Sequence, residues 1–346
     1  MSQEKYVVVL GYIKTLEPLL ITYRKGVGGY LETLKYIPSS TLLGAIISYL
    51  ASKKGVNEVL SYNRFYNMYG KAFLTSAFPI NKELTRIDDP LPLPLKTIAK
   101  DKENGKHVST AILWANFFEH KEQDTLNYLV SLDYKVGYGF WYLDSTVIKS
   151  YFPKTISYTH VALRYDSRTS LEGYLYTVEA INTNETFVFK ACISENLLNE
   201  LKEEVPIKVK MGSARSRGYG LVEITLSSEL SYEDYINERL STLRSEENKY
   251  ITIDFVSETS LKKANELGSQ AIYMKPIITR TKRYYNGTFH IKTLVEPGTT
   301  IVLKNRNNLK ELIKHELFPH EIHDQIFFAP SLFQINNPIH YCEVKS

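Results

Sequence analysis

An α+β fold follows from three features of the sequence. Short alternating strands and amphipathic helices are interleaved through the first two thirds, in the order strand, helix, several strands, helix, strand. A second β-rich run begins after an acidic stretch near residue 230. Finally, 346 residues at 43% hydrophobic and 23% charged suffice for one large or two ordinary domains with buried cores. Three segments follow: a first domain over residues 1–226, a linker helix over 227–249, and a second β-rich domain over 250–346.

The elements follow in order. Lys5–Leu16 alternates and reads as the first strand, with Val7, Val9 and Gly11 on one face. Arg24–Tyr30 is a basic glycine-rich loop. Ile37-Pro-Ser-Ser-Thr41 leads into an amphipathic helix from Leu42 to about Ser52, with Ser39 or Ser40 as N-cap and Gly55 as stop. Tyr62–Phe78 is aromatic. Asp88–Lys96 contains Pro90, Pro92 and Pro94, which reads as an extended surface segment. Ala111–Leu132 is partly helical. Tyr158–Leu163, Gly173–Ile181 and Glu185–Ile193 read as strands and Ser194–Glu203 as a short helix. Ser231-Tyr-Glu-Asp234 opens the linker helix, with Arg239 and Arg244 later in it, as the helix dipole prefers. Tyr250–Val256 is a strand. Thr279–Tyr285 precedes Asn286-Gly287, a hairpin turn signal. Thr299–Leu303 is a strand, Asn307 to about Leu317 a helix, and the tail from Pro319 loop-rich.

The composition excludes several classes. The formal charge of +4 permits a polyanionic partner without requiring one. Two distant cysteines, Cys192 and Cys342, form no metal motif or disulfide framework and suit a reducing, cytoplasmic setting. The amino terminus reads as a strand rather than a signal peptide, and the longest apolar stretch, around Thr41–Ala51, is too short for a bilayer. No membrane association, metal or cofactor is expected. His315, His320 and His323 cluster near Glu316 and Glu321, but Pro319 interrupts any shared helix face, so a metal site is not the favoured reading.

The most informative segment is Met211-Gly-Ser-Ala-Arg-Ser-Arg-Gly-Tyr-Gly-Leu-Val222, between alternating runs at Val205–Val209 and Leu221–Leu226. It reads as strand, glycine loop, strand. Gly212, Gly218 and Gly220 permit positive φ and close backbone approach. Successive amides there can cradle an anion. Arg215 and Arg217 add planar forks matched to phosphate oxygens, and Ser213 and Ser216 add hydroxyls. Tyr219 adds a ring. The spacing does not fit a P-loop, because Gly212 to Gly218 is one residue too long and Tyr219 stands in place of the lysine. Glu223 replaces the third glycine of a dinucleotide fingerprint. The loop therefore asks for a phosphodiester backbone; the alternative is a tight hairpin with solvated arginines.

Two further features bear on a polyanion. Arg280, Lys282 and Arg283 sit beside Tyr284 and Tyr285, mixing cations with stacking rings. A solvated edge strand guarded by charge is the alternative. His160, beside Arg164 and Tyr165, has the chemistry of a general base for attack by a ribose 2′-hydroxyl, or of a structural or RNA-bonding histidine.

The Gly212–Gly220 loop resembles the glycine-rich loop of the repeat-associated mystery protein (RAMP) superfamily of CRISPR effector subunits. Four more segments resemble that family in the same order. These are Tyr36-Ile-Pro-Ser-Ser-Thr-Leu-Leu-Gly-Ala45, with Ser39 in place of the usual glycine; Ala77-Phe-Pro79 with Pro90-Leu-Pro-Leu-Pro94 and Lys96; His160-Val-Ala-Leu163 with Thr169 and Gly173-Tyr-Leu-Tyr176; and Glu296-Pro-Gly-Thr-Thr-Ile-Val302. The second and third of these blocks look like the type III-D member related to the subunits that bind the five-prime handle of crRNA. The resemblance implies two ferredoxin-like (RRM-like) domains. The tail lacks the second glycine loop of some relatives, which leaves room for the second domain to be degenerate. It further implies a non-catalytic subunit that grips the repeat-derived five-prime tag of crRNA and joins the large polymerase-like subunit to RAMP backbone subunits, meeting target RNA indirectly. The implied RNA contacts are Gly212, Ser213, Arg215, Ser216, Arg217, Gly218 and Gly220, with Ser39, Ser40 and Thr41 donating to phosphate at a helix N-terminus. Tyr219, His160, Arg280 and Arg283 complete the candidate set. A metal-independent endoribonuclease with His160 as base, and a protein-only assembly subunit, are the rival expectations.

Overall fold

The computed structural model describes residues 5–25, 30–54, 72–135, 139–163, 170–243, 249–285, 288–305, 309–318 and 331–341. The chain opens with β1 (Tyr6–Thr15), β2 (Thr22–Lys25), β3 (Tyr30–Thr33), helix α1 (Ser39–Lys54), β4 (Ala72–Leu74) and β5 (Phe78–Pro79). An excursion follows: β6 (Ile98–Lys100), β7 (His107–Ser109), α2 (Ala111–His120), α3 (Gln123–Ser131) and the hairpin β8 (Phe140–Asp144) with β9 (Val147–Tyr151). The chain returns through β10 (Thr155–Leu163), β11 (Ser170–Ile181), β12 (Thr186–Ser194), α4 (Glu195–Lys202), β13 (Ile207–Lys210) and β14 (Leu221–Ser231). Helix α5 (Tyr232–Thr242) leads to β15 (Tyr250–Phe255), β16 (Thr259–Ser260), α6 (Leu261–Gly268), β17 (Ala271–Lys275), β18 (Ile278–Tyr285), β19 (Thr288–Val295), β20 (Thr300–Lys304), α7 (Leu309–Ile313) and β21 (Phe333–Ile335). The α+β class expected from the sequence is the class found.

Two sheets carry the architecture. The first runs β13-β14-β1-β12-β4, with β5 also on β12. Strand β1 is its spine, antiparallel to β12 from Tyr6↔Ser194 to Lys14↔Thr186 and to β14 on the other side. Alternation sorts its side chains: Val9 and Ile13 enter a core with α1 and α4, whereas Val8 and Leu10 face a second core shared with the excursion and the carboxyl-terminal half. Gly11 pairs with Phe189 and lets that ring lie over the backbone where any Cβ would collide with it. The second sheet runs β17-β20-β15-β21 around its own core of Ile251, Ile253, Phe255, Ile301 and Phe333. A smaller sheet, β10-β11-β3-β2, flanks the glycine loop.

Several expectations need correction. The segment Asp88–Lys96 is extended, but it is not on the surface: Leu91, Leu93 and Leu95 are buried, and Leu93 bridges to Trp141. The prolines prevent a regular ladder while the alternating leucines fill the second core. Strand β14 continues through Ser231 on β1, so the first sheet runs into the acidic stretch read as linker; Ser231 then caps α5 by accepting from the Asp234 amide. In the tail, β21 completes the second sheet beside β15, and Pro338–His340 is a helical turn with Ile339 and His340 buried. Of the helix expected from Asn307 to about Leu317, the described residues show Leu309–Ile313 helical and turns from Lys314 onward; Asn307 and Asn308 lie outside the described residues. Gly55, most of Tyr62–Phe78, Arg164, Tyr165, Thr169, Arg244, Asn286, Gly287, His320 and His323 lie outside the described residues. The strands around Asn286-Gly287 do pair as a hairpin, up to Tyr285↔Thr288.

The two halves are joined by buried polar contacts. Arg239, on α5, donates from Nε and Nη2 to the Glu316 carboxylate at 3.0 and 2.7 Å, and Tyr235 and the Ile335 amide donate to the same group. His340 lies between Ser109 of the excursion (2.6 Å) and Asp254 of β15 (3.0 Å). All three are buried, so the cluster ties elements together away from solvent.

Candidate nucleic-acid interface

The glycine loop links β13 to β14 and folds back over Pro18–Leu20. The Ser213 amide donates to the Leu20 carbonyl (2.8 Å), the Gly220 amide to the Pro18 carbonyl (2.9 Å) and the Met211 amide to the Gly220 carbonyl (2.9 Å). This approach explains two of the three glycines. Gly212 (φ +79°) and Gly220 (φ +90°) are in the left-handed region, and a Cβ at either would meet a backbone oxygen, of Leu20 and Met211 respectively. Gly218 (φ +82°) has open space around it. Between them Arg215–Arg217 forms one 3-10 turn entered from a left-handed Ala214 (φ 57°). That turn exposes Arg215, Ser216, Arg217 and Gly218 together, while Tyr219 and Gly220 return to the interior.

Beneath the turn is a cavity of about 590 Å³. Its walls come from the loop (Ser213, Arg217, Tyr219) and from the flanking sheet (Tyr30, His160, Tyr176). His160 and Tyr176 are cross-strand partners on β10 and β11, and their rings stack with centroids 5.1 Å apart and planes at 22°. The Arg217 Nη1 donates to the Tyr176 hydroxyl at 3.0 Å, and His160 Nε2 shares a 3.3 Å hydrogen bond with the Tyr219 hydroxyl. Burial, with the Tyr158 and Tyr176 phenols nearby, raises the Tyr219 phenol above its ordinary value, so it stays protonated at neutral pH. Thr22 donates to the Ser213 hydroxyl at 3.1 Å, and Lys210 to the Arg215 carbonyl at 3.1 Å. The arrangement is a rigid cationic rim over aromatic walls, suited to a phosphate outside and a flat ring within.

The structure thus brings His160 to the loop, although 52 residues separate it from Gly212 in the sequence. It also supplies Tyr176 and Tyr30, which sequence reasoning did not select as site residues; Tyr176 could have been found from its pairing with His160 across a hairpin of alternating strands.

Ser39 is a correction. Helix α1 begins at Ser39, and the Pro38 carbonyl accepts its first bonds, from Thr41 and Leu42. Ser39 is fully buried and its hydroxyl donates to Glu258 Oε2 at 2.8 Å, with Ser76 on the same oxygen. The helix start does meet an anion, but it is the chain's own carboxylate from the other half. Ser40 and Thr41 are half-buried in that same first turn. Arg280 is exposed on β18, in the β16-β19-β18 sheet, and does not line the loop cavity; Arg283 lies on the same strand, with its side chain outside the described residues. Among the described residues no cluster of three or more His, Cys, Asp or Glu side chains could hold a metal, and no helix is long and apolar enough to cross a membrane.

Fold and loop together define an α+β protein that presents an exposed Arg-Ser-Arg turn above an aromatic cavity. A family model of the RAMP superfamily matches residues 12–223, and the chain belongs to that superfamily. Solved structures resemble it at low identity. A chain of the type III-B Cmr-beta complex bound to cognate target RNA and AMPPnP is 12% identical, with a TM-score of 0.44 over 88% of this chain and 91% of that one. A chain of the apo Cmr-beta complex is 12% identical, with a TM-score of 0.36 over 64% and 97%. The crystal structure of Cmr4 is 13% identical, with a TM-score of 0.28 over 64% and 99%. No curated protein matches the chain.

Proposed function

We propose that this chain is a crRNA-binding subunit of a type III, III-D-like CRISPR interference complex, that it grips the repeat-derived five-prime tag, and that it joins the large polymerase-like subunit to RAMP backbone subunits. The observation that carries the reading is the loop in a RAMP-superfamily chain: Arg215 and Arg217 are presented on one exposed turn above a cavity walled by His160, Tyr176 and Tyr219. Phosphates sit on the arginines and Gly218, and a base enters the aromatic cavity. The strand orders support two ferredoxin-like domains. In the first, β1, α1, β4, β12, α4 and β14 give the order β14-β1-β12-β4; in the second, β15, α6, β17, β20, α7 and β21 give β21-β15-β20-β17. The second domain is complete on this count, with β18–β19 inserted. The test is binding of single-stranded RNA carrying the repeat-derived tag at its five-prime end against RNA with a scrambled end. Tighter binding of the first supports the reading, and equal binding refutes the tag assignment.

His160 favours one second reading, a metal-independent endoribonuclease, because its ring lies in the cavity beside Arg217 and Tyr219. Its engagement with both Tyr176 and Tyr219 supports positioning over proton abstraction. Cleavage of repeat RNA in chelator, lost in His160→Ala, would reverse that ranking.

A further inference from the structure

A second and larger cleft, of about 930 Å³, lies between the two halves of the molecule. Its floor is aromatic, from Phe140 and Trp141, both buried. Two rings stand on its rim, Tyr134 at 44% exposure and Phe152 at 43%. Exposed aromatic rings beside a cavity mark a recognition surface more than a folding core. Lys35 Nζ lies 5.9 Å from the Phe152 ring centroid and is ion-paired with Glu179 at 2.6 Å, so the face of that ring already borders a cation. Lys96 and Lys135 also line the cleft, as do Glu32 and Glu296. The opposite wall is Ile277 and Ile278 of the second domain; two residues beyond Ile278 on β18 is the exposed Arg280.

The position of this cleft gives its occupant. Tyr30 and Leu31 of β3 line the loop cavity, and the residues that follow, from Glu32 to Tyr36, line the cleft. The two cavities are therefore consecutive along one stretch of chain, with Tyr30 and Lys35 at most about 17 Å apart were the chain fully extended, and closer because β3 ends at Thr33 and the chain bends at Lys35. A single extended polymer with a flat group on each unit and an anion between units spans both; that is single-stranded RNA. We propose that the interdomain cleft is a second subsite for the RNA strand held at the glycine loop, stacking neighbouring bases on Phe152 and Tyr134 with their phosphates at Lys96 and Lys135. Burial lowers the pKa of the Lys96 ammonium, and the neighbouring Glu296 carboxylate pulls the other way. The path assigns a role to Arg280, which the loop site leaves unused: it continues the cationic track beyond the cleft.

This inference rests on RNA binding at the loop, and the experiment separates the two. The full chain is titrated with repeat-derived single-stranded RNAs of stepwise increasing length, before and after Phe152→Ala/Lys135→Glu, with Tyr134→Ala as an independent variant. All three positions are exposed, and thermal melting verifies the fold. Affinity of the parent chain should rise with length in two steps. The cleft variants should keep the first step and lose about tenfold or more of the second, whereas Arg215→Ala/Arg217→Ala loses affinity at every length. Long RNA bound equally by parent and cleft variants, or a segment of another subunit seated in the cleft of the assembled complex, overturns the cleft assignment and leaves the loop standing. No binding of any RNA length by the parent chain overturns the loop reading and the cleft with it.

Discussion

Replacing both loop arginines, Arg215→Ala/Arg217→Ala, should weaken RNA binding most where salt is lowest. Each phosphate contact to a single strand contributes about 0.7 to the slope of log K against log salt. Two contacts give about 1.4, so between 50 and 200 mM salt the deficit of the variant should shrink by about sevenfold. The structure separates the two residues. Arg215 is exposed, and Arg215→Ala should remove about 0.7 of slope alone. Arg217 also donates to Tyr176, so its loss frees a cavity wall as well as a charge. Tyr176→Phe is the control: it removes that hydrogen bond and no charge, and should lower affinity without changing the slope. Fluorescence anisotropy with a labelled single-stranded RNA across a salt series reads all four proteins. Parallel slopes for the parent and the double variant would refute phosphate contact at this loop.

Three further outcomes concern the scaffold. Gly220→Ala should cost at least about 2 kcal/mol in urea unfolding, because φ +90° is strained for alanine and the new Cβ strikes the Met211 carbonyl; Gly218→Ala, in open space, should cost about 1 kcal/mol. Glu316→Ala strands the buried Arg239 and should cost about 3–5 kcal/mol in the same assay, much of it recovered by the doubly apolar Arg239→Met/Glu316→Leu. Lys190 is buried on β12, and that burial, reinforced by Arg239, lowers its ammonium to about 7. Above that value the folded chain has released a proton that the unfolded chain still holds, so this site adds stability as pH rises from about 7 to the ordinary lysine value of 10.5; Lys190→Met should flatten that part of the urea midpoint against pH.

Much of the first domain was legible. Strand β1 follows from alternation and the glycine loop from its composition, and the strands read at Tyr158–Leu163, Gly173–Ile181 and Glu185–Ile193 fall within a few residues of β10, β11 and β12. What local pattern could not convey was which partner each element meets. The Ser39 start looked like an anion site, and it is one, but the anion is Glu258, 219 residues away. The prolines at 90, 92 and 94 signalled extension, and only tertiary packing shows Leu91, Leu93 and Leu95 buried. Strand β21 is three residues of a short tail segment, with too little pattern to stand out from loop, and its place is fixed by pairing with β15. The site divides the same way. Arg215, Arg217 and the glycines are contiguous and were found; the Tyr176 and Tyr30 walls and the whole interdomain cleft arise from chain segments that meet only in three dimensions.

The central claim is tested most directly by purifying the tagged chain from its native host and sequencing the RNA that accompanies it. The account predicts small RNAs that share one repeat-derived five-prime end, together with other effector subunits. RNA without a common end, or none at all, would contradict it.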